Sequence, residues 1–334
     1  MKSTPFSCAL LLAACFSVAL PAQDQATALA QLARTADVVV VATVDNVQNP
    51  QPEWLRTQFQ RGQVLKGSIG ASFALLEPAG RCCGNSLFAL ELGDQRLLFL
   101  RRTGVTLHPL GGARGVLPAA AAVVQHTSAV LAAGADDTAL AHLLVAAIDD
   151  DEPRIAEDAA HALLALPQLP LSDGERQKVR EQLATAVQHG RTRAATLAEL
   201  IARTADDAAV DALLPMYLDA ARPDQARLLQ RALERCPSEL VTERLPLFLD
   251  RGRARDVRAA ALLSGIDTPT AAAGMRKMLR RPCHPEAQLK LCEGLLQKGE
   301  GAASLEQLVP APVLRMAQRR RDAGRAFRNL EPTR

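Results

Sequence analysis

Aromatic residues are scarce in this sequence: phenylalanine, tyrosine and tryptophan make up 3% of its 334 residues, although 48% of the residues are hydrophobic. An interior with few large rings is filled by alanine and leucine, which suits packed helices better than a large sheet. A strong excess of one charge is also missing, because 39 basic residues face 36 acidic ones and leave a net charge of +3. We therefore predict no nucleic-acid partner.

The motifs of common enzyme classes are absent as well. The sequence has no serine-nucleophile motif, no pair of acids placed for catalysis on predicted strands and no nucleotide-binding fingerprint. The histidines are scattered, and no two of them stand three or four residues apart on one predicted helix, as zinc ligands often do. They are His108, His126, His142, His161, His189 and His284. We expect a noncatalytic protein without a cofactor or a metal site.

Two short segments resemble ligand sites but have simpler interpretations. The glycine-rich segment 110–115 lacks the lysine and hydroxyl residue of a phosphate-binding loop, and glycine serves equally well in a loop that closes a barrel. The acidic run 149–152 lacks the ligand spacing of a calcium loop. Acids at this place are expected to stabilise the N-terminus of the helix that follows.

Long apolar runs are missing after the first 22 residues. One lysine, an apolar run over about residues 9–20 and small residues near Ala22 predict a secretory signal peptide at 1–22. No later segment has the roughly 20 uninterrupted apolar residues of a membrane span. We expect an exported chain, periplasmic or extracellular. Alternatively, residues 12–15 resemble a bacterial lipobox, in which case Cys15 carries a lipid anchor.

Residues 23–117 have the pattern of a β domain. The continuous β-branched run at 38–45 predicts a buried strand, and short apolar segments separated by glycine, proline and asparagine predict further strands. The predicted strands are 38–45, 57–65, 71–77, 86–92, 95–101 and 105–108. Strands this short and regular favour a small closed or partly closed barrel. Helices are expected at about 26–34 before it and at about 118–132, within a connecting segment 118–135.

Five segments of this region together resemble secreted bacterial domains of the netrin or tissue-inhibitor-of-metalloproteinase type. They are ADVVVVATV at 36–44, TQFQRGQVLKG at 57–67, CCGNSLFAL at 82–90, GDQRLLFLRR at 93–102 and LGGARG at 110–115. The resemblance covers about a quarter of the chain and implies an OB-like β-barrel flanked by helices. Such inhibitors use an N-terminal cysteine to reach the metal of the protease, whereas this mature chain is predicted to begin near Gln23. The resemblance therefore implies the fold and not the inhibition.

Leucines recur in the second half at intervals of between 30 and 37 residues, which is the size of a helical repeat. They are Leu163, Leu200, Leu233, Leu263 and Leu295. Each lies on the predicted second helix of a pair. First helices are predicted at 138–148, 173–188, 206–219, 238–250 and 269–280, and second helices begin near residues 152, 191, 222, 253 and 284. Pro153, Pro223 and Pro285 suit the first turn of a helix.

The segment DDDEPRIAEDAAHALLAL at 149–166 resembles the bacterial form of HEAT-like repeats. The resemblance implies an α-solenoid with a binding surface over residues 136–328. The predicted fold class is therefore α+β, with a small N-terminal OB-like β-barrel followed by an α-solenoid of about five helix pairs. A bundle of unrelated helices is the alternative.

Cysteine remains at five positions after the predicted signal peptide, and five cysteines cannot all pair within one chain. They are Cys82, Cys83, Cys236, Cys283 and Cys292. A disulfide could join Cys283 to Cys292, or Cys236 to either of them, and the alternative is that all three are small buried residues. The adjacent pair Cys82 and Cys83 could be redox active beside Arg81, or one of the two could form a bridge.

The last predicted helix is rich in arginine and contains a single acid, Asp322. Its basic residues are Arg315, Arg319, Arg320, Arg321, Arg325 and Arg328. One interpretation is a terminal cap with a polar outer face, which a solenoid needs. The other is a basic surface that makes peripheral contact with an anionic membrane.

These patterns together predict an exported, noncatalytic protein-binding or scaffold protein whose solenoid surface holds a protein or peptide partner. An alternative is a regulator or inhibitor of an exported enzyme, acting through the N-terminal OB-like domain. A third possibility is a redox or metal-dependent enzyme that uses Cys82 and Cys83.

Overall fold

The computed structural model describes residues 28–51, 54–78, 88, 90–248 and 253–328. The predicted signal peptide, Cys15 and the Cys82–Cys83 pair lie outside the described residues. Within them the fold is α+β: a curled antiparallel sheet near the N-terminus is followed by a long series of helices in a repeat-like arrangement.

The described residues contain one antiparallel sheet of six strands. The strands are β1 (Val38–Gln51), β2 (Trp54–Lys66), β3 (Ser72–Pro78), β4 (Gln95–Thr103), β5 (Thr106–Pro109) and β6 (Val116–Pro118). Their order is β3-β2-β1-β4-β5, and β6 also pairs with β4. The end strands β3 and β5 approach each other, but in the described residues they are not hydrogen-bonded. The sheet is therefore a half-barrel.

The central strand β1 is buried on both faces, as its run of valines predicts. Val38 and Val40 point into the half-barrel opposite Leu100 and Leu98 of β4, with which they are in register. On the same inner side, the rings of Phe59 and Phe73 stack with their centroids 5.3 Å apart. The alternate residues Val39, Leu97 and Phe99 point outward and belong to the core shared with the helices.

The prediction of a strand at 86–92 is wrong for the residues that the structure describes there, because residues 88 and 90–92 form no strand. A turn forms there instead. The carboxylate of Asp94 accepts a hydrogen bond of 3.0 Å from the Glu91 amide, and Gly93 has a φ of 88°. These local bonds satisfy the backbone without a neighbouring strand. Strand β6, which follows the glycine-rich segment, was not predicted.

Fourteen α-helices lie in the described residues. They are α1 (Leu29–Thr35), α2 (Ala121–Ala133), α3 (Asp137–Ala147), α4 (Pro153–Ala165), α5 (Asp173–Gln188), α6 (Ala194–Ala202), α7 (Asp207–Leu218), α8 (Pro223–Leu233), α9 (Ser238–Arg244), α10 (Arg253–Gly265), α11 (Pro269–Leu279), α12 (Pro285–Gln297), α13 (Ala302–Leu305) and α14 (Ala311–Arg328). The prolines predicted in first turns begin α4, α8 and α12. The five recurring leucines lie on the second helices, as predicted, and all are at most 1% exposed, so they belong to the core.

The first helices of the predicted pairs form one row, in which α3, α5, α7, α9 and α11 contact each other in that order. The second helices form the opposite row in two runs, α4-α6-α8 and α10-α12-α14. Helix α9 is shorter than predicted: it ends at Arg244, and a 3₁₀ turn at Leu245–Phe248 replaces its last turns. Pro246 within this turn lacks the amide that a continuing α-helix would need.

Polar residues cap most of the first-row helices. Asp206 and Thr268 cap α7 and α11 by accepting hydrogen bonds from backbone amides, and Ser172 forms a capping box with Glu175 at the start of α5. Ser238 does not cap α9, because the residue before that helix is Pro237 and no side-chain cap is present.

One buried hydroxyl joins the α10-α12-α14 run of the second row to helix α7 of the first row. Tyr217 on α7 is 2% exposed, and its hydroxyl donates a hydrogen bond of 2.9 Å to the backbone carbonyl of Arg258 on α10. Burial raises the pKa of Tyr217 to about 12, so the hydroxyl stays a donor at every ordinary pH.

We expect Tyr217→Phe to lower the free energy of unfolding by about 0.5–1.5 kcal/mol, because the hydrogen bond from the hydroxyl to the Arg258 carbonyl is lost while the packing of the ring is retained. Urea unfolding followed by circular dichroism measures this change. An unchanged midpoint would show that water replaces the hydroxyl without cost.

Candidate binding surface

The second row presents a groove between α6 and α8, with a volume of about 380 Å³. We call it the α6–α8 groove. It is lined by Ala195, Glu199, Asp224, Arg227, Leu228, Arg231, Ala232 and Arg235. Its three arginines stand four residues apart, two of them on α8 and Arg235 just after that helix. This spacing places them on one side of the groove. The half-buried Leu228 and the buried Ala232 supply an apolar floor beside Ala195.

Both acids of the α6–α8 groove already have a cationic partner. Glu199 of α6 forms an ion pair with Arg235, which crosses the groove. Asp224 pairs with Arg222 through two contacts of 2.8 and 3.2 Å. Pairs this exposed contribute little stability, on the order of 0–1 kcal/mol. Their effect on the groove is to neutralise its negative charges.

Arg227 and Arg231 are different, because both are exposed and neither forms an ion pair with any residue that the structure describes. Several other arginines of the repeat-like region bind backbone carbonyls instead. Arg203 donates to the carbonyls of Leu166 and Pro167 at 2.9 and 3.3 Å, and Arg258 donates to carbonyls near the end of α7. The two free guanidinium groups in the groove are therefore available to a ligand.

A second cleft lies in the first row between α9 and α11 and has a volume of about 340 Å³. Leu245, Leu263 and Met278 line its apolar part. Gly274 lets the two helices approach, because a Cβ there would lie 2.7 Å from Cγ2 of Thr242. The rim of this cleft carries two acids of α9, Glu239 and Glu243. It also carries two cations, Lys277 of α11 and Arg281 just after that helix. Because two acids and two cations balance at the rim, the charge of this cleft does not favour either an anionic or a cationic ligand.

The basic residues predicted on the last helix lie on α14, which packs against α12 through the buried Leu314 and Ala317. Arg320 pairs with Glu293 of α12 at 3.3 Å, and Arg321 pairs with its neighbour Asp322. Arg315 and Arg319 are exposed, whereas the side chains of Arg325 and Arg328 are outside the described part of the chain.

Three of the candidate cysteines are free thiols in the structure: Cys236, Cys283 and Cys292. No disulfide joins them, so the proposed bridges among these three are not present. Burial raises the pKa of both Cys236 and Cys292 to about 11, and it also raises that of Cys283. The three thiols therefore stay protonated and weakly nucleophilic at neutral pH.

The histidines do not converge, and in the part of the chain that the structure describes no group of three or more potential ligands could hold a metal ion. His142 contacts the carboxylate of Glu175. His126 on α2 is buried, and burial lowers its pKa, while nearby Asp150 opposes this effect. Its Nε2 atom has no hydrogen-bond partner among the described residues.

The glycine-rich segment and the acidic run have the structural roles expected of them. Gly112–Gly115 forms a 3₁₀ turn between β5 and β6, and a Cβ on Gly115 would lie 2.2 Å from the Leu110 carbonyl oxygen. In the acidic run, Glu152 caps α4, and Asp150 accepts a hydrogen bond of 2.9 Å from the Glu152 amide.

A buried acid that the sequence analysis did not identify holds α1 against α4. Asp158 of α4 is 6% exposed, and its carboxylate accepts a hydrogen bond from the Leu29 amide at the start of α1. Burial raises its pKa to about 7, although Arg154, 3.9 Å away, and the Leu29 amide oppose this effect. Its position on the buried face of α4, three residues after Ile155, is the one signal that the sequence offered.

Among the residues that the structure describes, no helix is both long enough and apolar enough to cross a membrane. Comparisons of the chain with known protein families, with curated proteins and with solved structures find no match.

Proposed function

We propose that this chain is an exported, noncatalytic binding or scaffold protein that holds a protein or peptide on its second row of helices. In this proposal the helices form a HEAT-like α-solenoid, and the half-barrel is an OB-like domain that supports its N-terminal end. The observation that carries the proposal is the α6–α8 groove, which combines an apolar floor with two guanidinium groups that make no ion pair with the described residues.

The internal use of the other polar groups supports this assignment. The buried thiols have raised pKa values. Asp158 of α4 and His126 of α2 are buried, and Asp158 bonds the backbone of α1. The α6–α8 groove, in contrast, is exposed, and its volume is in the range of sites that bind small ligands or a few side chains.

Site-specific photo-crosslinking in the full chain tests the proposal. A photoreactive amino acid replaces Ala195 in the groove, and a matched variant carries it at Ala208, an exposed alanine of the first-row helix α7. A third carries it at Val105, which is 99% exposed in the turn between β4 and β5. After irradiation with the exported fraction of the source cells, adducts are separated and identified by mass spectrometry.

We expect a discrete protein or peptide adduct at position 195 and none at 208. An adduct confined to position 105 would instead support a regulator that acts through the N-terminal sheet. Equal adducts at 195 and 208, or none at 195, would overturn the proposed binding surface.

A further inference from the structure

The α6–α8 groove has an excess of positive charge at one place only. Glu199 and Asp224 are neutralised by Arg235 and Arg222, which leaves Arg227 and Arg231 without a counter-charge among the described residues. These two lie one helical turn apart on α8, a spacing that brings their guanidinium groups to the same side. Each group presents a planar fork of donors that matches a carboxylate.

The apolar floor adds a second requirement for the ligand. Leu228 is half-buried and Ala232 is buried beneath the arginines, so that each cation stands next to apolar surface. A ligand that only neutralises the arginines would leave this surface in contact with water. A segment that carries both carboxylates and an aliphatic side chain would satisfy the two parts of the groove together.

The residues that line the groove disfavour nucleic acids and anionic lipid surfaces as ligands. None of the residues that line the groove is aromatic, so bases of a single-stranded nucleic acid would have no ring on which to stack. A continuous row of phosphates or an anionic lipid surface would also bring negative charge to the two ends of the groove, where Arg235 and Arg222 are already paired with Glu199 and Asp224. Separate carboxylates on a peptide can pair with Arg227 and Arg231 alone.

We propose that the α6–α8 groove binds an acidic peptide segment, with carboxylates of the peptide paired to Arg227 and Arg231 and an aliphatic side chain on Leu228 and Ala232. This inference rests on the proposed binding function and names the chemical class of the partner.

Direct binding to the full chain tests it. The probe is a short fluorescein-labelled peptide of alternating glutamate and leucine, and the uncharged match alternates glutamine and leucine. The test variant is the double substitution Arg227→Gln and Arg231→Gln. The control variant, Arg280→Gln with Arg319→Gln, removes two exposed arginines elsewhere and changes the net charge by the same amount.

We expect the acidic peptide to bind the native chain, with an affinity that falls at higher salt, and the glutamine peptide to bind at least about tenfold more weakly. The groove variant should lose at least about tenfold in affinity for the acidic peptide, because the loss of a single charge-assisted contact already contributes about that factor. The control variant should stay within about twofold of the native chain, since screened charges at a distance contribute little.

Three outcomes would overturn the inference: no binding of the acidic peptide, an equal loss in the two double variants, or preferential binding of single-stranded DNA or phosphatidylglycerol vesicles through the same arginines. Failure of the acidic peptide together with a crosslinked partner at position 195 would remove only the inference about partner chemistry. Failure of the crosslink itself would remove the proposed function.

Discussion

Replacing Leu233 by alanine is expected to lower the free energy of unfolding by about 2–5 kcal/mol. Leu233 lies in the last turn of α8, is 0% exposed and belongs to the core that runs from the outer face of the sheet to α14. Truncation removes three buried carbon atoms and leaves a cavity that neighbouring helices can fill only in part. Guanidinium unfolding followed by far-ultraviolet circular dichroism measures the loss.

The matched control is Leu247→Ala, because Leu247 is 69% exposed in the turn after α9. An exposed leucine away from a special backbone geometry changes stability by at most about 0.5 kcal/mol when it is shortened. Similar losses for the two variants would contradict the assignment of Leu233 to the core. They would also remove the structural basis of the leucine repeat, since the five recurring leucines occupy equivalent positions.

The second large effect is a dependence of stability on pH through Asp158. The pKa of this carboxyl is raised from 3.8 to about 7 by burial, so the folded chain retains a proton that the unfolded chain releases between these values. The resulting stabilisation is complete below pH 3.8 and is lost as the pH rises through about 7. Because the two pKa values differ by about three units, this stabilisation amounts to a few kcal/mol at most.

Asp158→Asn should therefore flatten the curve of unfolding free energy against pH in this window, because the amide oxygen still accepts from Leu29 but does not titrate. The charged neighbours of this group are Arg154 and Glu157, both of α4, and they are unchanged in the variant. Asp158→Ala should lose about 1–3 kcal/mol throughout, since the Leu29 amide is left without an acceptor.

Unfolding midpoints between about pH 4 and pH 8 distinguish these cases. The control is Asp267→Asn, whose side chain is 96% exposed, and its curve should run parallel to that of the native chain. If Asp158→Asn keeps the full pH dependence of the native chain, another group is responsible and Asp158 remains ionised in the fold.

The helices were predictable because their signals are local. A proline at the first position and leucines at helical spacing lie within one segment, and together they predict the starts of α4, α8 and α12 to within about two residues. The valine run of β1 is equally local. In residues 88 and 90–92, the described part of the strand predicted at 86–92, no strand forms, because the turn around Asp94 competes for the backbone groups.

The candidate site was less predictable, because it depends on contacts between helices. The spacing of Arg227, Arg231 and Arg235 is visible in the sequence, but the pairing of Arg235 with Glu199 is not. This pairing distinguishes a neutralised arginine from the two that remain free. In the same way, nothing near Asp158 in the sequence indicates that its carboxylate meets the amide of Leu29.

The hydrogen bond between Leu29 and Asp158 joins residues 129 positions apart, so it can form only after both parts of the chain have been synthesised. A chain that emerges from its N-terminus presents α1 long before α4 exists to pack against it. Leu29, which is fully buried in the finished fold, can meet the Asp158 carboxylate only after the sheet and three further helices have been synthesised. The N-terminal helix thus reaches its native packing late, although it is synthesised first, and its apolar face is open to aggregation until α4 is complete.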